Sequence, residues 1–138
     1  MDEAKFITLD NCLTILIYTD RSKSTNHMEL FTFYGGNYSS YIDYNGKKRN
    51  IKEGSAHLLE HYVCENTVSG DLLDNLRKYN VLSCNAGTSA FNTSYFFNTV
   101  CNFYECLDTF LDGIYNVSFT NEKLNKTKYA VLNEIRDS

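Results

Sequence analysis

Apolar positions along the chain switch between extended and helical spacing, and the switches mark its elements. Phe6 to Leu9 and Leu13 to Tyr18 read as strands flanking a turn-like break at Asp10-Asn11-Cys12, and Glu29 to Tyr34 is a third extended run before Gly35-Gly36. An antiparallel sheet is expected from them. Residues 54–66 read as a helix entered at Gly54-Ser55, with Ala56, Leu58, Leu59, Tyr62 and Val63 as its apolar material. Gly70 and Asp71 then open a short helix from Leu72 to Tyr79. Extended character returns in Ser83 to Gly87 and Ser94 to Val100, separated by Ser89-Ala90-Phe91-Asn92. Behind a capping-box-like Asn102 and Glu105, the residues Phe103, Cys106, Leu107, Phe110, Leu111 and Ile114 recur at helical spacing and predict a core-facing helix. Thr120 caps a last helix whose buried face is Leu124, Val131, Leu132 and Ile135. The expected fold class is α+β, an antiparallel sheet packed with helices, with no proline, repeat or linker to divide it.

Composition narrows the function classes. A chain of 138 residues is one domain or part of one, and 43% hydrophobic with 22% charged residues is ordinary globular material. No apolar run approaches a membrane span, and Met1-Asp2-Glu3 is acidic where a signal peptide is basic, so a cytoplasmic location is expected. The net charge of -4 argues against a nucleic-acid surface, and Lys47-Lys48-Arg49 after Asn45-Gly46 reads as a solvated hairpin end. Five cysteines without a C-x-x-C pair read as reduced, mostly buried thiols, although Cys64, three residues after His61, could approach a metal.

The chemistry concentrates in His57-Leu58-Leu59-Glu60-His61. On a helix the two histidines stand at i and i+4 on one face, close enough to share a metal ion. The pattern H-x-x-E-H is the zincin motif reversed, with Glu60 as the group that takes a proton from water at the metal. The bland alternative is a core helix with hydrogen-bonded histidines, which the flanking residues disfavour. Two histidines leave a catalytic Zn2+ site short of its usual three protein ligands. Glu134, on the last helix among Val131, Leu132 and Ile135, is the candidate third, because burial is expected there and a buried carboxylate needs a partner such as a metal.

At these residues the chain resembles the pitrilysin or insulysin family of metallopeptidases, which includes the mitochondrial processing peptidases. The resemblance is carried by Gly54-Ser55-Ala56-His57-Leu58-Leu59-Glu60-His61, by Asn85-Ala86-Gly87-Thr88-Ser89 with Thr93 and Tyr95 following, and by Val131-Leu132-Asn133-Glu134-Ile135. Phe33-Tyr34-Gly35-Gly36 and Gly70-Asp71 are similar to a bacterial branch associated with elongation factor P modification or peptide maturation. The resemblance implies a pitrilysin-like fold in which residues 1–138 are the N-terminal part of a zinc peptidase domain. It implies that His57, His61 and Glu134 bind zinc and that Glu60 is the general base. It also implies that Asn85 and Ala86 lie on an edge strand to which an extended peptide substrate adds as a further strand.

Two departures qualify these expectations. Family members often carry a second glutamate where this chain has Thr127, which supplies no negative charge and predicts altered ligand orientation. The chain also stops soon after Glu134, so a second pitrilysin-like half or partner subunit is expected to close over the substrate. The alternative function is a pitrilysin-like subunit that binds peptide or partner without hydrolysing it.

Overall fold

Strand pairing divides the extended runs into three antiparallel groups rather than one sheet. The computed structural model describes residues 3–137; Met1 and Asp2 of the acidic start lie outside the described residues, as does Ser138. Strands β1 (Glu3–Thr8) and β2 (Thr14–Thr19) form a hairpin of their own around Cys12, whose φ of 68° is accommodated in the predicted turn. Strand β3 (Asn26–Thr32) does not join them. It pairs with β7 (Thr93–Thr99), which pairs in turn with β6 (Ser83–Thr88), giving the order β3-β7-β6. The expectation of one sheet in the N-terminal third is corrected accordingly: a local pattern encodes that a segment is extended and not which distant strand it meets. Strands β4 (Ser40–Ile42) and β5 (Lys48–Asn50) make a small hairpin, where Arg49 Nε donates to Asp43 Oδ2 at 2.7 Å and Gly46 turns with φ of 75°.

Four helices complete the described chain: α1 (Ser55–Glu65), α2 (Leu72–Arg77), α3 (Phe103–Tyr115) and α4 (Asn121–Asp137). Asp71 caps α2 by accepting from Asp74 N at 2.8 Å, and Thr120 Oγ1 accepts from Lys123 N at 3.2 Å at the start of α4. The capping box expected at Asn102 does not form. Asn102 is left-handed with φ of 56° and makes no side-chain cap; its amide instead approaches Tyr79 O at 3.5 Å.

The core lies between one face of the three-stranded sheet and helices α1, α2 and α3. Val63 and Cys64 of α1, Leu72 and Leu76 of α2, Tyr95 and Phe97 of β7, and Cys106 and Phe110 of α3 form one buried cluster. The helical spacing in α3 was read correctly, since Phe103, Leu107, Leu111 and Ile114 pack against that cluster. In α1 the phase is not what hydrophobicity alone suggests. Leu59 is 49% exposed while Glu60 is 7% exposed, because Ala56, Glu60 and Val63 share the inward stripe. The face expected on α4 is likewise corrected: Thr127 and Val131 are buried, whereas Leu132 and Ile135 are exposed. Helix α4 packs along α1 through a narrow seam, so only residues three and four apart on that line are covered.

Tyr62 fixes where that seam begins. Its ring is fully buried and stacks on Phe119 with centroids 4.8 Å apart. Its hydroxyl donates to Ser118 O at 3.0 Å and accepts from Thr120 N at 3.0 Å, tying α1 to the segment that launches α4. Removal of that hydroxyl strands a backbone carbonyl and an N–H at a part-buried position. Tyr62→Phe is therefore expected to destabilise the chain by about 1–3 kcal/mol. Urea unfolding of the two proteins side by side measures the difference, and equal midpoints would show that the tether contributes nothing.

Candidate metal centre

Helix α1 presents His57 and His61 one turn apart, and α4 brings Glu134 across from them. His57 Nε2 and His61 Nε2 are 3.1 Å apart, His61 Nε2 and Glu134 Oε2 are 3.0 Å apart, and His57 Nε2 and Glu134 Oε2 are 3.7 Å apart. These are the three residues that the sequence singled out as ligands, and the fold brings all of them together. Donor atoms on a tetrahedral ion at bonds of about 2.0–2.2 Å stand about 3.3–3.6 Å from one another. The observed separations bracket that value. The donor set also suits a cation, because two imidazole nitrogens and a carboxylate oxygen, the donor types that bind zinc, converge on one point.

Glu134 departs from one expectation. Its side chain is 52% exposed, and it is not buried among apolar neighbours. The reason is the phase of α4, in which Val131 turns inward while Leu132 and Ile135 turn out. What identifies Glu134 is its convergence with the histidines and not burial.

Glu60 is buried, with one carboxylate oxygen held by the sheet. Its Oε2 accepts from Thr88 Oγ1 at 2.8 Å, and Thr88 Oγ1 lies 3.2 Å from Thr93 Oγ1, which donates to Tyr34 O at 2.9 Å. Thr88 lies within the Asn85–Ser89 motif, which by itself assigns it no role. The available signal was strand periodicity, which puts Thr88 on the same face as Ala86. Two further residues were missed, Glu65 and Asn66. Glu65 stands at i+4 from His61, with Glu65 Oε1 3.6 Å from His61 Nδ1.

Asn85 and Ala86 lie in β6, the outer strand of its sheet among the described residues. Ser89 N bonds Asn92 O at 2.8 Å at the hairpin end, and pairing alternates from there. Asn85 therefore pairs inward with Phe96, whereas Ala86 directs its N–H and C=O to the open edge. Asn85 contributes an exposed side chain instead. Thr88, two residues along the same strand and so about 7 Å away, links that edge to Glu60.

Cys64 is no part of the cluster. It is buried in the core, where desolvation first and the neighbouring Glu60 second push its thiol up to about 12, so it stays protonated at neutral pH. The expectation of mostly buried thiols holds only partly: all five cysteines are free among the described residues, Cys64 and Cys106 buried, Cys84 half-buried, Cys12 and Cys101 exposed. Alkylation of the native protein near pH 8 is expected to modify Cys12 and Cys101 and to spare Cys64 until denaturant is added. Peptide mapping by mass spectrometry decides it, and early labelling of Cys64 would contradict the burial argument.

Comparison with known proteins adds three findings. The sequence pattern of the family described as Insulinase (Peptidase family M16) matches residues 47–138. A Bacillus subtilis (strain 168) protein named uncharacterized zinc protease YmfH is 27% identical over 129 residues, covering 92% of this chain and 29% of that protein. Among solved structures, a protein described as an M16-like peptidase from Alicyclobacillus acidocaldarius superposes with TM-score 0.87 at 23% identity, over 98% of this chain and 31% of that one. A protease from Helicobacter pylori gives 0.80 at 19% identity, over 99% and 31%, and pitrilysin gives 0.74 at 19%, over 97% and 14%. The structural likenesses establish the pitrilysin-like fold. The chain spans about three-tenths of the length of YmfH and of the first two of these structures.

Proposed function

Because the chain belongs to the insulinase family of peptidases, Peptidase family M16, we propose that it is the N-terminal, zinc-binding part of a metalloendopeptidase acting on peptides in extended conformation. The observation that carries this reading is the convergence of His57, His61 and Glu134 within 4.8 Å. The name of YmfH as a zinc protease supports zinc as the ion, and its bacterial source is compatible with the bacterial branch suggested by the sequence. Zinc held by these residues would supply Lewis acidity, polarising a scissile carbonyl and acidifying the attacking water.

The residues around it have separate tasks. Glu60 takes the proton from the water and returns it to the leaving amine, a role typically worth about 10² to 10⁴ in rate. Thr88 holds one Glu60 oxygen by its hydroxyl, which fixes the carboxylate and leaves general-base work to the other oxygen. Ala86 offers main-chain hydrogen bonds on the open edge of β6, so a substrate added as a strand runs past Glu60 toward the histidines. Asn85 meets the substrate through its exposed side chain. Such recognition demands little of the peptide sequence. A cytoplasmic setting fits the free thiols, and no described helix is long and apolar enough to cross a membrane.

The expected outcome of elemental analysis is one zinc per chain after purification without added metal, and none above background in His57→Ala or His61→Ala. Equal zinc in wild type and both variants would overturn the ligand assignment. Glu60→Gln is expected to keep the zinc and to lose at least 10²-fold in hydrolysis in the active assembly. Loss of metal in that variant would make Glu60 a ligand, and unchanged turnover would remove it from the chemistry.

A second half or partner chain is part of the same reading, supported by the share of its relatives that this chain spans. An enclosing half excludes water and adds donors to the developing oxyanion, each worth about 10² to 10³ in rate. The zinc-loaded 138-residue chain alone is thus expected to hydrolyse unstructured peptides poorly. Turnover by the monomer that disappears in Glu60→Gln would show that no second half is required.

A further inference from the structure

A polar chain between α1 and α4, outside the ligand cluster, ends on the far edge of the His61 ring. From it we infer that Glu65 is the positioning residue for His61, and that Thr127 holds Glu65 in place. The inference rests on the reading of His57, His61 and Glu134 as a metal site.

The ring edges of His61 face different surroundings. Nε2 looks into the cluster, 3.0 Å from Glu134 Oε2 and 3.1 Å from His57 Nε2, so Nδ1 is the outer nitrogen. An imidazole that gives the Nε2 lone pair to a metal carries its proton on Nδ1, and that N–H needs an acceptor. Glu65 Oε1 is 3.6 Å from it, longer than a hydrogen bond and within reach of one by a small side-chain torsion.

The other oxygen of Glu65 is already committed. Glu65 Oε2 accepts from Thr127 Oγ1 at 2.9 Å, and Thr127 is fully buried. Asn66 Nδ2 donates to the same Thr127 oxygen at 3.2 Å while also donating to Tyr62 O at 3.1 Å. With Asn66 supplying a hydrogen to Thr127 Oγ1, the hydroxyl proton is free to go to Glu65, and the direction of the chain is set. A carboxylate tethered in this way, brought onto Nδ1–H by that torsion, orients the ring and strengthens Nε2 as a donor. Thr127 thus serves the site although it carries no charge itself: the negative charge comes from α1.

The test measures zinc affinity by chelator competition, the visible absorption of the Co2+-substituted 138-residue chain, and the melting temperature of the metal-free chain. Glu65→Leu is expected to bind zinc about 10- to 100-fold more weakly and to alter the Co2+ spectrum. Glu65→Gln, which keeps an acceptor oxygen, should fall between wild type and Glu65→Leu, with a metal-free melting temperature that does not track the affinity. Zinc affinity of Glu65→Leu within twofold of wild type, or a loss that glutamine does not lessen, would overturn the positioning role while leaving the ligand assignment intact. A wild-type chain without zinc affinity would overturn both.

Discussion

The antiparallel seam between α1 and α4 is the constraint on which the site depends, because it alone carries Glu134 to the histidines. Three positions on α4 and its approach, Thr120, Thr127 and Glu134, are seven residues apart, so each step is about two turns and 10.5 Å along the axis. Two of them meet α1 at different levels, Glu134 at His57 and His61 and Thr127 at Glu65 and Asn66, while Thr120 is held by the hydroxyl of Tyr62. The register is set mainly by hydrogen bonds, since Thr127 and Val131 are the buried residues of α4 and only one of them is apolar. Apolar packing tolerates sliding, whereas a hydroxyl that must both accept from Asn66 and donate to Glu65 fixes rotation and translation together.

A second constraint joins α1 to the sheet. Glu60 is a charged residue on an inward stripe of apolar ones, and its burial is costly unless it is hydrogen-bonded. The Thr88 hydroxyl meets that requirement. Beside it on β7, Thr93 Oγ1 donates to Tyr34 O in the segment after β3. That segment is held closely. Gly36 N donates to Ser89 O at 2.8 Å and Asn37 N to Ala90 O at 2.9 Å, and a Cβ on Gly35 would come within 2.6 Å of Asn92 N. The open edge of β6 is tied to Glu60 by the Thr88 hydroxyl, so the proposed base and the proposed strand-binding edge share that one strand.

Much of this was legible in the sequence where the physics is local. The flanks of H-x-x-E-H predicted a helix, the stripe Phe103, Cys106, Phe110 predicted another, and the break at Ser89 to Asn92 between two extended runs predicted a strand pair. What failed was whatever depended on distant partners. Nothing around Glu29 to Tyr34 says that this strand joins one more than sixty residues later. Hydrophobicity counted Leu59 among the buried residues of α1, and Leu132 and Ile135 among those of α4, because apolar character was read without the helix phase that Ala56, Val63, Thr127 and Val131 impose. Asn102 and Glu105 had the spacing of a capping box, yet a left-handed backbone at Asn102 turns its side chain toward Tyr79. Thr127 looked like a missing charge because the carboxylate beside it is contributed by the other helix.

The sparseness of the seam bears on how the site and the fold support one another. Beyond Val131 no residue of α4 is buried, and the last turns of the helix are held to α1 by Glu134 among the polar contacts. Without an ion, Glu134 faces two imidazoles that attract it only to the extent that they carry protons, and the carboxylate is half in water. On the zinc reading, an ion shared by both helices would convert that weak contact into a cross-link, so binding free energy would appear as stability of the C-terminal half of α4. The converse follows by linkage: whatever secures α4 on α1, whether the Tyr62 tether or the Thr127 hydroxyl, lowers the cost of assembling the three ligands and so strengthens their affinity for the metal.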